Sequence, residues 1–219
     1  MKLNELLQGI QVLESNVDFE MNINAVAYDS RKVTEGSLFV AITGFASDGN
    51  RFIPMALEKG AAVVVTAKKP AQDVPYVLVE SDRYALAMIG TNFYGHPAEA
   101  MTMIGVTGTN GKTSVTLLLK HVLEKTLGAK VGLIGTMENL VGDEVIPTER
   151  TTPESFELQG LFARMRDAGI AVDRRAALPR TMIVRRKWGT ATTRILYRVS
   201  SSRHCLRVFI CMVMLRMTI

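Results

Sequence analysis

Cysteine is nearly absent from this 219-residue chain, with Cys205 and Cys211 the only two. Two cysteines six positions apart, with His204 alone beside them, give neither a disulfide framework nor a zinc-ligand spacing. No run of eighteen apolar residues occurs, so no membrane-spanning helix is expected. The opening Met1-Lys2-Leu3-Asn4-Glu5 leads into a short amphipathic pattern instead of the apolar core of a signal peptide. Low-complexity segments are missing too, and with 47% hydrophobic residues the chain reads as globular and cytoplasmic.

Acidic residues are scarce in only one region. Residues 1–169 hold 15 Lys and Arg against 20 Asp and Glu, whereas residues 170–219 hold ten Arg and Lys187 against the single acid Asp173. The net charge of +5 therefore belongs to the last fifty residues, so it does not mark the whole chain as a nucleic-acid binder. An asymmetry of this size points to a tail of different origin.

Before that tail, apolar runs alternate in period. Leu3, Leu6, Leu7 and Ile10 share one helical face. Strands are expected near 25–28, at 38–42, 61–66 and 76–79, with helices at about 52–59, closed by Gly60, and 83–94. Alternation of this kind predicts an α/β layered fold. Tyr94-Gly95-His96-Pro97 stops the second helix and marks a domain boundary, His96 reading as a linker residue. A second unit then begins: a strand at 102–106, a glycine loop, and a helix with an apolar stripe of Val115, Leu118, Leu119, Val122 and Leu123. A strand at 130–134 follows, completing the β–loop–α–β unit of a nucleotide-binding sheet. Thr152 reads as the N-cap of a further helix, with Pro153 at its first position and Leu158, Leu161, Phe162 and Met165 on its buried face.

The loop reads Gly105-Val106-Thr107-Gly108-Thr109-Asn110-Gly111-Lys112-Thr113-Ser114. Glycines allow a tight turn that aims successive N–H groups inward, and the following helix offers its N-terminal dipole to an anion. Lys112 supplies a point charge for the outer phosphates, and the Thr113 hydroxyl is placed to ligate Mg²⁺. The general phosphate-loop pattern would put its first glycine at position 106, where Val106 stands.

That departure carries a resemblance. Thr107 to Thr113 resembles the ATP loop of the Mur ligases and of the related folylpolyglutamate synthases. Tyr28-Asp29-Ser30-Arg31, Gly36 to Ala41, Asp48 to Ile53, Ala56 to Val65, Gly132 to Thr136 and Thr151-Thr152-Pro153-Glu154 resemble the Mur ligases that add the third residue of the peptidoglycan stem. The resemblance covers about residues 1–170, in order, and differs at Asn50, where the family often has histidine. It implies a UDP-substrate-binding α/β domain over residues 1–97 and an incomplete phosphate-loop-type central domain over 98–170. Gly108, Thr109, Asn110, Gly111, Lys112, Thr113 and Ser114 would bind ATP, with Lys112 catalytic and Mg²⁺ on Thr113. Ser30, Thr151 and Thr152 would hold UDP-MurNAc-L-Ala-D-Glu, the first beside the UDP. The diamino acid, meso-diaminopimelate, would be joined through an acyl-phosphate. A monomer with small-molecule partners, and with neither nucleic acid nor membrane, is expected.

After Gly169-Ile170 the resemblance ends. Residues 171–219 show no steady period of 2 or 3.6 and no aromatic interleaving with their arginines, which reads as out-of-frame translation and not as a basic nucleic-acid-binding arm. A central sheet without its later strands is expected to leave an edge and a face uncovered.

Overall fold

A computed structural model of the chain describes residues 1–44, 48–107, 111–128, 130–135, 138–148 and 153–170. It also describes the backbone of residues 181–185 and 208–211; at 102, 107 and 127, too, only the backbone is described. The chain divides into two compact units, Met1–Gly95 and His96–Ile219.

In the first unit, α1 (Leu3–Leu6) is followed by β1 (Val12–Ser15) and β2 (Ala25–Ala27). Then come β3 (Ser37–Ala41), α2 (Ile53–Glu58), β4 (Ala61–Thr66), β5 (Tyr76–Val79) and α3 (Asp82–Phe93). The sheet order is β1-β5-β4-β3-β2; β2 to β5 run parallel and β1 pairs antiparallel with β5. Every residue of β3 is buried, as a central strand covered on both faces requires. Phe39, Ala41 and Val64 meet Ile53 and Ala56 of α2 on one face. Alternation turns Leu38 and Val40 to the other face, where α3 packs on β3 and β4 and α1 packs on α3. Removing a large side chain such as Leu38, Phe39 or Ile53 from water stabilises the fold by about 1.5–3 kcal/mol.

Polar side chains fasten this layered sandwich where the backbone leaves the ladders. Buried Asn92 of α3 donates its Nδ2 to Leu6 O and Gln8 O, both at 2.9 Å, which ties α1 and the turn after it to α3. Asn16 donates to Val74 O at 2.9 Å and accepts from Tyr76 N at 2.8 Å, so β1 is held beside β5 past its own pairing.

The second unit holds β6 (Thr102–Thr107), α4 (Lys112–Leu127), β7 (Gly132–Ile134), β8 (Glu138–Val141), β9 (Glu144–Pro147), α5 (Ser155–Asp167), β10 (Thr181–Arg185) and β11 (Val208–Cys211). Its sheet order is β10-β6-β11-β7-β8-β9; β6 pairs parallel with β10 and β11, and β7, β8 and β9 form an antiparallel meander. α5 packs through Phe162 and Met165 against Ile134 and Val141.

Three expectations are corrected here. The sheet does not stop at the matched strands, because 181–185 and 208–211 pair on either side of β6 and put β10 at that end of the sheet. Each is a short apolar, β-branched run, and a parallel ladder asks for extended backbone without alternation. The expected stripe on α4 is only partly inward: Leu123 is buried, whereas Leu118 is 63% and Val122 43% exposed. Helix α5 starts two residues later than expected, with Glu154 as N-cap instead of Thr152. The Glu157 carboxylate accepts from Glu154 N at 3.2 Å in a capping box.

Candidate functional site

In the second unit, β6 ends at Thr107 and α4 begins at Lys112, so four residues connect strand to helix. Gly108, Thr109 and Asn110 lie outside the described residues. Gly111, the last of the four, has φ 76° and ψ 9°, the left-handed conformation that costs a glycine least. It sits at the N-cap position of α4 and has no side chain with which to cap the helix. The N–H groups of the first turn point back along the axis toward the loop. Lys112 is the first helical residue and half-buried, while Thr113 and Ser114 follow it exposed on the same turn. The carbonyl of Thr113 accepts from Thr116 Oγ1 at 2.9 Å, which fastens the second turn of the helix to the first.

The arrangement suits a polyphosphate. A helix N-terminus with its dipole, a left-handed glycine and a lysine at the first helical position converge on one end of β6. Thr113, exposed on the same turn, adds a hydroxyl oxygen beside Lys112. Among the described residues, no group of three or more His, Cys, Asp or Glu could hold a metal by itself.

In the first unit, the carboxyl ends of β2 to β5 present a polar rim. Ser30 follows β2, is 7% exposed, and donates its hydroxyl to Met55 Sδ at 3.4 Å. A thioether is a weak acceptor, so this hydroxyl is easily re-aimed. The turn that carries it, Ser30–Lys32, is built by Asp29, which accepts from Arg31 N at 2.9 Å. Asp29 also accepts from Arg31 Nε and from Arg31 Nη2, the latter at 2.7 Å. These charged hydrogen bonds hold the Asp29 carboxyl down at about 2.

Next along the rim, Asp48 accepts from Asn50 N at 3.0 Å and from Lys68 Nζ at 2.7 Å. The Lys68 ammonium and the Asn50 amide lower its carboxyl to about 2. Asn50 Oδ1 in turn accepts from Thr66 Oγ1 at 2.6 Å, and Thr43 N donates to Asp82 Oδ2 at 2.7 Å. Sequence reasoning missed that Asn50, Thr66 and Lys68 form one network; only the Asx-turn pattern Asp48-Gly49-Asn50 was a visible signal. A shallow cleft lies near Gly9, Glu80, Ser81 and Tyr84 and contains none of the expected site residues. Thr151 and Thr152 lie outside the described residues.

Strand, left-handed glycine and helix-opening lysine define the second unit as a phosphate-loop α/β domain. Residues 22–100 match the Mur ligase family, catalytic domain, and residues 106–172 match the Mur ligase middle domain. Through these residues the chain belongs to the Mur ligase family.

The UDP-N-acetylmuramoyl-L-alanyl-D-glutamate--2,6-diaminopimelate ligase of Caldanaerobacter subterraneus subsp. tengcongensis is 47% identical over 172 residues, which are 78% of this chain and 35% of that protein. The protein of the same name from Listeria monocytogenes serovar 1/2a is 40% identical over 171 residues, again 78% and 35%. A solved structure of a ligase of that name superposes with a TM-score of 0.59 at 21% identity, covering 77% of this chain and 34% of the other. The chain thus spans about a third of the length of the relatives it matches. Among the described residues, no helix is long and apolar enough to cross a membrane.

Proposed function

We propose that this chain carries the UDP-substrate-binding unit and the phosphate loop of an ATP-dependent ligase of peptidoglycan precursor synthesis. The ligase adds meso-diaminopimelate to UDP-MurNAc-L-Ala-D-Glu. The observation that supports this best is the Gly111–Lys112 junction at the end of β6, which suits a triphosphate, in a chain 40–47% identical to ligases named for that reaction.

In this reading Gly108 to Ser114 cradle the phosphates of ATP. Lys112 neutralises charge as the γ-phosphoryl group passes to the D-glutamyl carboxylate. Thr113 would hold Mg²⁺, which would supply further charge neutralisation on the phosphates. The amine of the incoming diamino acid then attacks the acyl-phosphate and expels inorganic phosphate. Ser30 donates to the UDP, exchanging its weak contact with Met55 for a strong acceptor. Thr151 and Thr152 hold the muramoyl-peptide portion. The protein acts in the cytoplasm as a monomer.

We propose further that residues 1–219 by themselves have little or no turnover and that residues from about 171 are read out of frame. The middle-domain match, which stops at residue 172, supports this. Binding of ATP or UDP-sugar without catalysis is then the activity that remains. A phosphate-release assay with ATP, UDP-MurNAc-dipeptide and diaminopimelate, run beside equilibrium dialysis of labelled UDP-MurNAc-dipeptide, tests the reading. Substrate retention that weakens in Ser30→Ala, with no diaminopimelate-dependent phosphate release, is expected. Full turnover would overturn the inactivity, and failure to retain either substrate would overturn the assignment.

A further inference from the structure

Buried Ser30 directs its hydroxyl at the Met55 sulfur of α2, 3.4 Å away. Met55 itself is 41% exposed, so a buried donor ends on the thioether of a residue that solvent reaches. Among the described methionines only Met1 is as open. Met101 and Met165 are buried, and Met21, Met88 and Met103 are half-buried.

The contact is held in place along the whole of α2. Before the helix, Asn50 is bonded to Thr66 and Asp48 to Lys68. Within it, Ile53 and Ala56 are buried against Phe39, Ala41 and Val64. After it, Lys59 Nζ donates to Arg31 O at 3.2 Å, back on the turn that carries Ser30. The backbone under Met55 is therefore fixed, and a chemical change at its sulfur reaches Ser30 instead of being absorbed by a shift of the helix.

An accessible thioether reacts with hydroperoxides. The sulfur attacks one peroxide oxygen, the O–O bond breaks and an S–O bond forms. The proton of the attacked oxygen passes to the departing one, which leaves as water or an alcohol. The thioether is oxidised to a sulfoxide and the peroxide is reduced. Sulfur is a weak acceptor, whereas the sulfoxide oxygen is polar and accepts a hydroxyl well. The bond that Ser30 gives up in reaching a UDP oxygen then changes from weak to strong.

We infer that Met55 is an oxidation site through which a hydroperoxide lowers this chain's affinity for its UDP-linked substrate, by holding the Ser30 hydroxyl on the sulfoxide oxygen. The inference rests on the reading that Ser30 donates to the UDP. Met55 is a positioning residue in it and acts only through Ser30.

The test treats the full chain with hydrogen peroxide and follows the gain of one oxygen at Met55 by peptide mass mapping. Equilibrium dialysis of labelled UDP-MurNAc-dipeptide reads affinity, and circular dichroism confirms that the chain stays folded. Affinity should fall about two- to tenfold as Met55 is oxidised, the difference made by one neutral hydrogen bond. Met55→Leu should bind more tightly than the untreated chain, since Ser30 then has no sulfur to give up, and should lose nothing on treatment. Met55→Gln, whose carboxamide oxygen offers Ser30 a comparable acceptor, should bind more weakly with no peroxide present. Ser30→Ala should bind alike before and after treatment. Met55 left unmodified in the folded chain, modification with no loss of affinity, or the same loss in Met55→Leu or Ser30→Ala overturns the inference. So does Met55→Gln binding as tightly as Met55→Leu. Each of these results leaves the ligase reading standing, whereas failure of the untreated chain to retain the substrate sinks that reading and this inference with it.

Discussion

Asn50 Oδ1 accepts the hydroxyl of Thr66 at 2.6 Å, and through that bond the turn after β3 is fixed to the carboxyl end of β4. Thr66 is fully buried, and its hydroxyl also accepts from Lys68 N at 3.0 Å. Replacing Asn50 with alanine removes the shorter of two acceptors and leaves the Thr66 hydroxyl to Lys68 O at 3.0 Å, so the loss is that of one hydrogen bond, about 0.5–1.5 kcal/mol. Urea unfolding should show that loss in Asn50→Ala. Asn50→His, the residue common in the family, should lose less if its ring nitrogen reaches the same hydroxyl.

The Asp48–Lys68 contact predicts an acid-side slope. A carboxyl held at about 2 in the folded chain, below its ordinary 3.8, stabilises the fold above about pH 4, and that contribution disappears as pH falls through 2. Both side chains are partly exposed, so the contribution is small and shrinks in salt. Asp48→Asn should flatten stability against pH between 4 and 2 in low salt; an unchanged slope would remove this pair as its source.

Met165 of α5 crosses β7 at Gly132, where an added Cβ would stand 2.6 Å from its Sδ. Gly132→Ala therefore overpacks a fully buried contact, at a cost of about 1–3 kcal/mol. Thermal unfolding should show a lower midpoint for Gly132→Ala, and Met165→Ala in the same chain should not add its own full cost.

The first unit was legible because its strands are near-continuous apolar runs at 37–41, 61–66 and 76–79, each punctuated by turn residues. β1 was not, since Val12-Leu13-Glu14-Ser15 is an edge strand with Leu13 turned outward, and its pairing depends on distant β5. The β8–β9 hairpin was passed over although Gly142-Asp143 is a two-residue turn with Gly142 at φ 64°, a readable signal. Helix α4 misled in the other direction. Its apolar residues span more than one face, and periodicity cannot say which of two apolar faces meets the sheet. At the site, the turn at Gly111 and the helix start at Lys112 could be placed from sequence because a glycine between an apolar strand and an apolar helical stripe marks where the chain must turn. The rim network of Asp48, Asn50, Thr66 and Lys68 could not, because it joins residues from two different strand ends.

The strand-to-helix junction at Gly111 and Lys112 bears the central claim, that this chain grips a nucleoside triphosphate. Calorimetric titration of the purified chain with ATP and Mg²⁺, beside Lys112→Ala, tests it most directly. Losing one charge-assisted contact worth about 1.5–3 kcal/mol should weaken binding about 10- to 100-fold in the variant. Equal affinity in the two proteins, or no heat of binding from the unaltered chain, would contradict the account.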